Sequence, residues 1–217
     1  MKLQYGKAIC YSGYREEQSP QTKTYPSYEQ VKEDLLILEK DFDYIRMYDS
    51  SDHAHTACEV IKKENLNLKI MLGMDLLGEI SNSECSWGGE YTVEQIAKNI
   101  EYNQEQLNKV IYLANTYEDI VYAVSAGNES VPEWNENLVS PGRVLYFVKE
   151  LKKNTNSLVT YCENYIYWTN KLVDVAKEVD IISVHSYPVW VGTPIKEAVH
   201  RCIDEYQMIT DLYPQKP

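Results

Sequence analysis

Apolar residues fall in six short runs, at 7–12, 44–48, 68–73, 120–127, 158–162 and 181–185, separated by longer stretches in which they recur every three or four positions. The short runs are β-branched or apolar on both alternating faces, the pattern of strands covered on both sides. The stretches between them read as amphipathic helices. Val93, Ile96, Ile100, Leu107, Val110, Ile111 and Ala114 form one broad stripe, and Leu35, Leu36 and Leu38 form another, so both predict faces laid against a sheet. Helix starts are written locally. Ser27 with Gln30 and Thr92 with Gln95 have capping-box spacing, while Ser140-Pro141 and Thr193-Pro194 place proline at the first helical position.

Strand and helix alternating without hairpins predicts a parallel sheet, either doubly wound or closed as a barrel. No Gly-x-Gly-x-x-Gly follows the first strand, where a dinucleotide fold would need it. Polar and aromatic residues instead collect after each strand: Tyr14-Arg15, Asp49-Ser50, Asp75, Asn128-Glu129, Glu163-Asn164 and His185-Ser186-Tyr187. One mouth built by successive strand ends is the arrangement of an α/β (β/α)8 barrel of the TIM type, with chemistry at the C-terminal ends of the strands.

With 217 residues and 44% hydrophobic content, the chain can bury one sizeable core, and nothing resembling a linker divides it, so residues 1–217 are expected to form a single domain. An eight-unit barrel takes about 250 residues. Six units already fill this sequence, which leads to the expectation of an incomplete barrel whose seventh strand would follow residues 213–217. The open edges of its first and sixth strands would then invite self-association.

Charge narrows the partners. A net charge of −12 without a run of Lys and Arg disfavours nucleic acid and anionic membrane. The first seven residues lack the apolar core of a secretory signal, and no stretch approaches the roughly 20 apolar residues of a membrane span, so the sequence reads as unexported, with a cytoplasmic or an unassigned location. Five scattered cysteines without a Cys-x-x-Cys pair read as isolated thiols. The aromatic content is skewed, with 19 Tyr against 2 Phe and 4 Trp, towards rings with a polar edge that suit half-wet clefts.

Several ordered motifs resemble glycoside hydrolase family 17: Tyr11-Ser12-Gly13-Tyr14-Arg15 with Gln18-Ser19-Pro20, Ile45-Arg46-Met47-Tyr48, Ala126-Gly127-Asn128-Glu129, Tyr161-Cys162-Glu163-Asn164 and Val184-His185-Ser186-Tyr187-Pro188. The likeness runs from about Lys7 to Val191. It implies a β-1,3-glucanase-like enzyme on a (β/α)8 barrel, working with retention and without a cofactor. It also implies that Glu129 is the general acid/base and that Asn128 hydrogen-bonds the sugar 2-hydroxyl. A retaining glycosidase needs such a carboxyl to protonate the leaving oxygen and then to deprotonate water. In the family a tyrosine at the position of Tyr187 lies near the nucleophile, although a rim tyrosine reaching into water is an equal reading of the residue. The family's nucleophile lies on the seventh strand in a Glu-x-Gly-Trp-like motif, which this sequence lacks. Residues 1–217 alone are therefore expected to be inactive.

Tyr14, Arg15, Tyr48, Asp49, Glu163 and Asn164 are strand-end candidates for sugar contact, and each could equally be a structural partner. Trp168, Trp190 and Trp134 follow strand ends where a ring can stack on a glucose face, with helix-barrel packing as the commoner fate of tryptophan. Glu163 is read as a cleft residue rather than the nucleophile. His185 reads as a structural or lining group. His53-x-His55 invites a metal reading, but on a helix positions two apart diverge, so no metal is assigned. Two other functions stay open. One is a non-catalytic carbohydrate-binding or scaffold fragment; the other is a different barrel glycosidase, a β-mannanase or β-1,4-glucanase.

Overall fold

The computed structural model describes residues 4–217. Six parallel strands form one sheet in sequence order: β1 (Ala8–Cys10), β2 (Tyr44–Met47), β3 (Lys69–Gly73), β4 (Val121–Asn128), β5 (Leu158–Asn164) and β6 (Ser183–His185). Helices α1 (Tyr28–Leu38), α2 (Asp52–Glu64), α3 (Val93–Thr116) and α4 (Pro141–Asn154) connect the first five. Two short helices, α5 (Tyr165–Trp168) and α6 (Val173–Glu178), lead from β5 to β6, and α7 (Ile195–Leu212) follows. These are six of the eight units of a (β/α)8 barrel.

The sheet curves strongly. Strands β2 and β6 stand four spacings apart, which in a flat sheet would separate them by about 19 Å. Yet Arg46 Nη1 on β2 lies 3.1 Å from His185 Nε2 on β6. Only a sheet bent round a hollow brings those two side chains together. The central strands β4 and β5 are almost wholly buried along their length, while β1 and β6 are edges with one strand neighbour each among the described residues. Edge position explains why these two are three residues long where the sequence pattern predicts longer runs. Beyond the regular strands the ladder still continues: Tyr11 N–H donates to Arg46 O at 2.9 Å, and Ile182 N–H to Pro217 O at 3.1 Å.

Local signals place the helices well. Both capping boxes form, with Ser27 Oγ accepting from Gln30 N–H and Thr92 Oγ1 from Gln95 N–H. Ser140 caps α4 with Pro141 in the first turn. The Thr193-Pro194 expectation shifts by one residue: Pro194 is itself the N-cap, and the Thr193 hydroxyl accepts from Arg201 instead of capping the helix.

The apolar stripes need correction. Val31 and Leu35 bury the inner face of α1, whereas Leu36 is exposed. On α3 the buried face starts only at Asn103, and Val93 and Ile100 are exposed. Its first turns run past the sheet, and their inner positions are taken by amides. Asn99 Nδ2 donates to Gly78 O at 2.7 Å, and Asn103 exchanges two 2.8 Å hydrogen bonds with the backbone of Leu77. The helix thus pins the long β3–α3 loop, whose orphan backbone groups would otherwise be costly to bury.

Candidate active site

Five side chains, on or directly after three strands, meet in the hollow at the C-terminal ends of the sheet. Glu129 Oε1 lies 2.8 Å from His185 Nδ1. The Tyr187 hydroxyl is 3.2 Å from the same nitrogen, and burial together with the neighbouring Glu129 carboxylate pushes its phenol up. On the far side of the imidazole, Arg46 Nη1 approaches Nε2 at 3.1 Å, while Arg46 Nη2 donates to Asn128 Oδ1 at 2.6 Å. The Arg46 guanidinium also sits 4.5 Å from the centre of the Tyr48 ring.

Hydrogen-bond roles follow from arginine, which can only donate. Asn128 therefore turns its carbonyl oxygen to Arg46 and leaves its amide N–H groups for another acceptor. Likewise Nε2 of His185 accepts from Arg46 when the ring hydrogen is on Nδ1, where it points at Glu129. Burial works against a charged imidazole here, but hydrogen bonds to Cys162 and Glu129 outweigh it and push His185 up to about 9. A second ring proton would set donor against donor at Arg46, so it is gained at the expense of that contact.

The backbone at Glu129 is unusual. Its φ of +47° lies in the left-handed region, which costs a non-glycine residue about 1–2 kcal/mol. Gly127, with φ +137°, and a register shift between Ser125 and Asn128 precede it. Three hydrogen bonds hold the turn. Glu129 N–H donates to Cys162 O at 2.9 Å, Ser130 N–H donates to the Tyr161 hydroxyl at 2.8 Å, and the Asn135 amide donates to Glu129 O.

Glu163 stands behind this turn, fully buried. Its Oε2 accepts from the Tyr161 hydroxyl at 3.0 Å and its Oε1 from Asn164 N–H at 2.8 Å. Burial pushes its carboxyl up to about 7, against the pull of those donors and with a further push from Glu129. With both oxygens bonded to protein and no exposed surface, it braces Tyr161 and offers nothing to a sugar, which corrects its reading as a cleft contact.

Other candidates fall elsewhere. Trp168 is fully buried against Tyr161, and its indole N–H donates to Ser183 O at 3.2 Å, so it is core and not a stacking surface. Arg15 makes a two-pronged ion pair with Asp34, at 2.6 and 3.0 Å, and tethers the β1–α1 loop to α1. Asn164 caps α5 through Ile166 N–H. Asp49 accepts from Ser51 N–H at the start of α2 and lines a separate cavity of about 510 Å³ with Asp75 and Tyr102. Tyr14 packs against His53 and Tyr25, where burial pushes its phenol up to about 12. Tyr187 and Tyr48 border the hollow half-exposed, and Trp190 projects into solvent. His53 and His55 take different partners: Gly13 N–H donates to His53, and His55 pairs with Tyr117. The sequence marks no role for Arg46, although it lies in one of the strand-end motifs, because its partners lie 82 and 139 residues away.

Comparison with known families decides the class, for residues 8–217 match the BtgE/BtgC glycoside hydrolase domain. The chain belongs to this glycoside hydrolase family. Solved structures agree on the fold of the BtgE/BtgC domain. An endo-laminarinase from Formosa Hel1_33_131 superposes with a TM-score of 0.74 at 22% identity, covering 97% of this chain and 64% of that one. A glycoside hydrolase family 17 β-1,3-glucanosyltransferase from Rhizomucor miehei gives 0.70 at 17% identity, covering 97% and 68%. A GH113 β-1,4-mannanase gives 0.60 at 19% identity, covering 100% and 71%. The BtgE/BtgC domain therefore spans under two thirds of the laminarinase's length. No sequence among curated proteins matched. Among the described residues, no helix is long and apolar enough to cross a membrane.

Proposed function

We propose that this BtgE/BtgC domain carries the acid/base side of a retaining, family 17-like site that cleaves β-1,3-glucan. The observation that carries the reading is the contact of Glu129 with His185, whose Nδ1 the Tyr187 hydroxyl also approaches, with the Asn128 amide fixed beside it by Arg46. In the first half-reaction protonated Glu129 gives its proton to the leaving glycosidic oxygen; in the second it takes one from the water that releases the sugar. His185, donating from Nδ1 to Oε1, orients the carboxyl so that Oε2 holds the transferable proton. Asn128, its carbonyl engaged by Arg46, presents N–H to the 2-hydroxyl.

A retaining pair places its second carboxyl about 5 Å from the first. Glu163 stands close enough to Glu129 for the two charges to interact, and its enclosure removes it from that role. The family 17 resemblance assigns the nucleophile to a seventh strand beside β6. Laminarinase and β-1,3-glucanosyltransferase superpose more closely than β-mannanase does, which favours β-1,3-glucan over mannan as substrate.

Product analysis on laminarin, mannan and cellulose oligosaccharides tests the assignment, using the protein with its barrel closed. Release of β-1,3-linked oligosaccharides with retained configuration is expected. Cleavage confined to mannan or cellulose oligomers, or inverted products, would overturn it.

A further inference from the structure

Two tryptophans from different loops are brought together and left in solvent. Trp87, in the β3–α3 loop, is 64% exposed; Trp134, in the β4–α4 loop, is 45% exposed; their ring centres lie 6.5 Å apart with planes tilted by 43°. An isolated exposed tryptophan needs no explanation, but a pair held by dedicated backbone does.

The loops are shaped for this pairing. Gly88 and Gly89, directly after Trp87, lie flat on Glu136: a Cβ at Gly88 would come within 2.5 Å of the Glu136 carboxylate, and one at Gly89 within 3.1 Å of its Cα. Gly89 also has φ +91°, a conformation that side chains disfavour. Asn82, almost fully buried, ties the two loops by donating to Glu133 O at 2.7 Å and Asn135 O at 2.8 Å, and its own N–H donates to Gly89 O at 2.7 Å. Asn135 in turn holds the carbonyl of Glu129. The ring pair is therefore linked to the backbone of the candidate acid through Asn82 and Asn135, and both rings keep exposed surface.

We propose that Trp87 and Trp134 form a stacking platform for sugar units of a β-linked glucan whose chain runs outward from Glu129. An all-equatorial pyranose presents a flat C–H face, and an aromatic ring meets it with apolar contact and with its negative π-face against the polarised C–H bonds. Ring faces tilted relative to each other accept successive sugars that are rotated along the chain. A pre-formed platform binds without the entropic cost of ordering mobile side chains. This inference rests on the proposed glucan-cleaving reading and extends it to longer substrates.

The test is calorimetric binding of laminari-oligosaccharides from trisaccharide to hexasaccharide to residues 1–217, with parallel mannan and cellulose series. Affinity is expected to rise with chain length, and the double variant Trp87→Ala/Trp134→Ala to lose that rise, weakening the hexasaccharide by about tenfold or more. The variant Trp87→Tyr/Trp134→Tyr, which keeps ring faces, is expected to retain part of it. Both variants alter exposed rings, and unchanged thermal unfolding checks that each is folded. A rise with length that survives the alanine substitutions overturns the platform, as does binding independent of length. If laminari-oligosaccharides do not bind but another series shows the same tryptophan-dependent rise, the platform stands for that glycan and the β-1,3-glucan reading falls; if no series binds, both fall.

Discussion

Glu129 and His185 lie 56 residues apart, on strands separated by β5, and their side chains meet at 2.8 Å across the inside of the curved sheet. The contact joins a carboxyl in a left-handed turn to an imidazole held from behind by Arg46. Proton affinity at the imidazole depends on the charge of the carboxyl. His185, pushed up to about 9 against its burial, stabilises the folded state most fully below its ordinary pKa of 6.5, and that contribution is lost as pH rises through about 9. Replacing Glu129 by Gln removes the neutralising carboxylate. Titration of the imidazole by NMR is expected to show a lower pKa in Glu129→Gln than in wild type; an unchanged titration would place the carboxyl away from the ring.

Gly127 sets the approach to that turn. With φ +137°, and with a Cβ there coming within 2.7 Å of Leu76 Cδ1 and 3.1 Å of Tyr161 Cε2, alanine is both strained and crowded. Gly127→Ala is expected to cost about 2 kcal/mol or more in urea unfolding. A loss below half that would mean that the turn relaxes freely.

Glu163 makes stability depend on pH in a window of its own. Its folded pKa, raised to about 7 from 4.5, means that the folded state keeps a proton the unfolded chain releases, so stability falls as pH rises from about 4.5 to 7 and then levels. Glu163→Gln keeps the side chain's shape and cannot ionise. The variant is expected to lose this dependence, gaining up to about 3 kcal/mol relative to wild type between the two ends of the window. Parallel unfolding curves at pH 4.5 and pH 7 for both proteins check the sign.

Trp168 and Trp190 separate packing from exposure. Trp168→Ala opens a large cavity in the core and is expected to cost about 3–5 kcal/mol. Trp190→Ala, at an 85% exposed position, is expected to change stability by less than about 0.5 kcal/mol. Equal effects on thermal unfolding would contradict the burial of Trp168.

What the sequence discloses here is local, and what it hides is long-range. Capping boxes at Ser27 and Thr92 are legible because both partners sit within one turn, and the central strands β4 and β5 because burial on two faces leaves unbroken apolar runs. Glu129 stands out by following such a run. For Arg15 the sequence leaves sugar contact and structural pairing equally open, because its partner, Asp34, lies in the next helix and one acid among many in that stretch carries no mark. Val93 and Ile100 follow helical spacing and still face solvent, since α3 outruns the sheet and turns Asn99 and the buried Asn103 towards the loop instead. The pairing of Trp87 with Trp134 depends on glycines whose purpose shows only when Glu136 is seen against them.

The most direct measurement is the rate of laminarin hydrolysis by the protein with its barrel closed, comparing wild type with Glu129→Gln, alongside oligosaccharide affinity. The expected result is a loss of about 10²–10⁴-fold in rate, with binding retained, as removal of a general acid/base produces. Hydrolysis at the wild-type rate by Glu129→Gln would contradict the assignment of Glu129 as the proton donor.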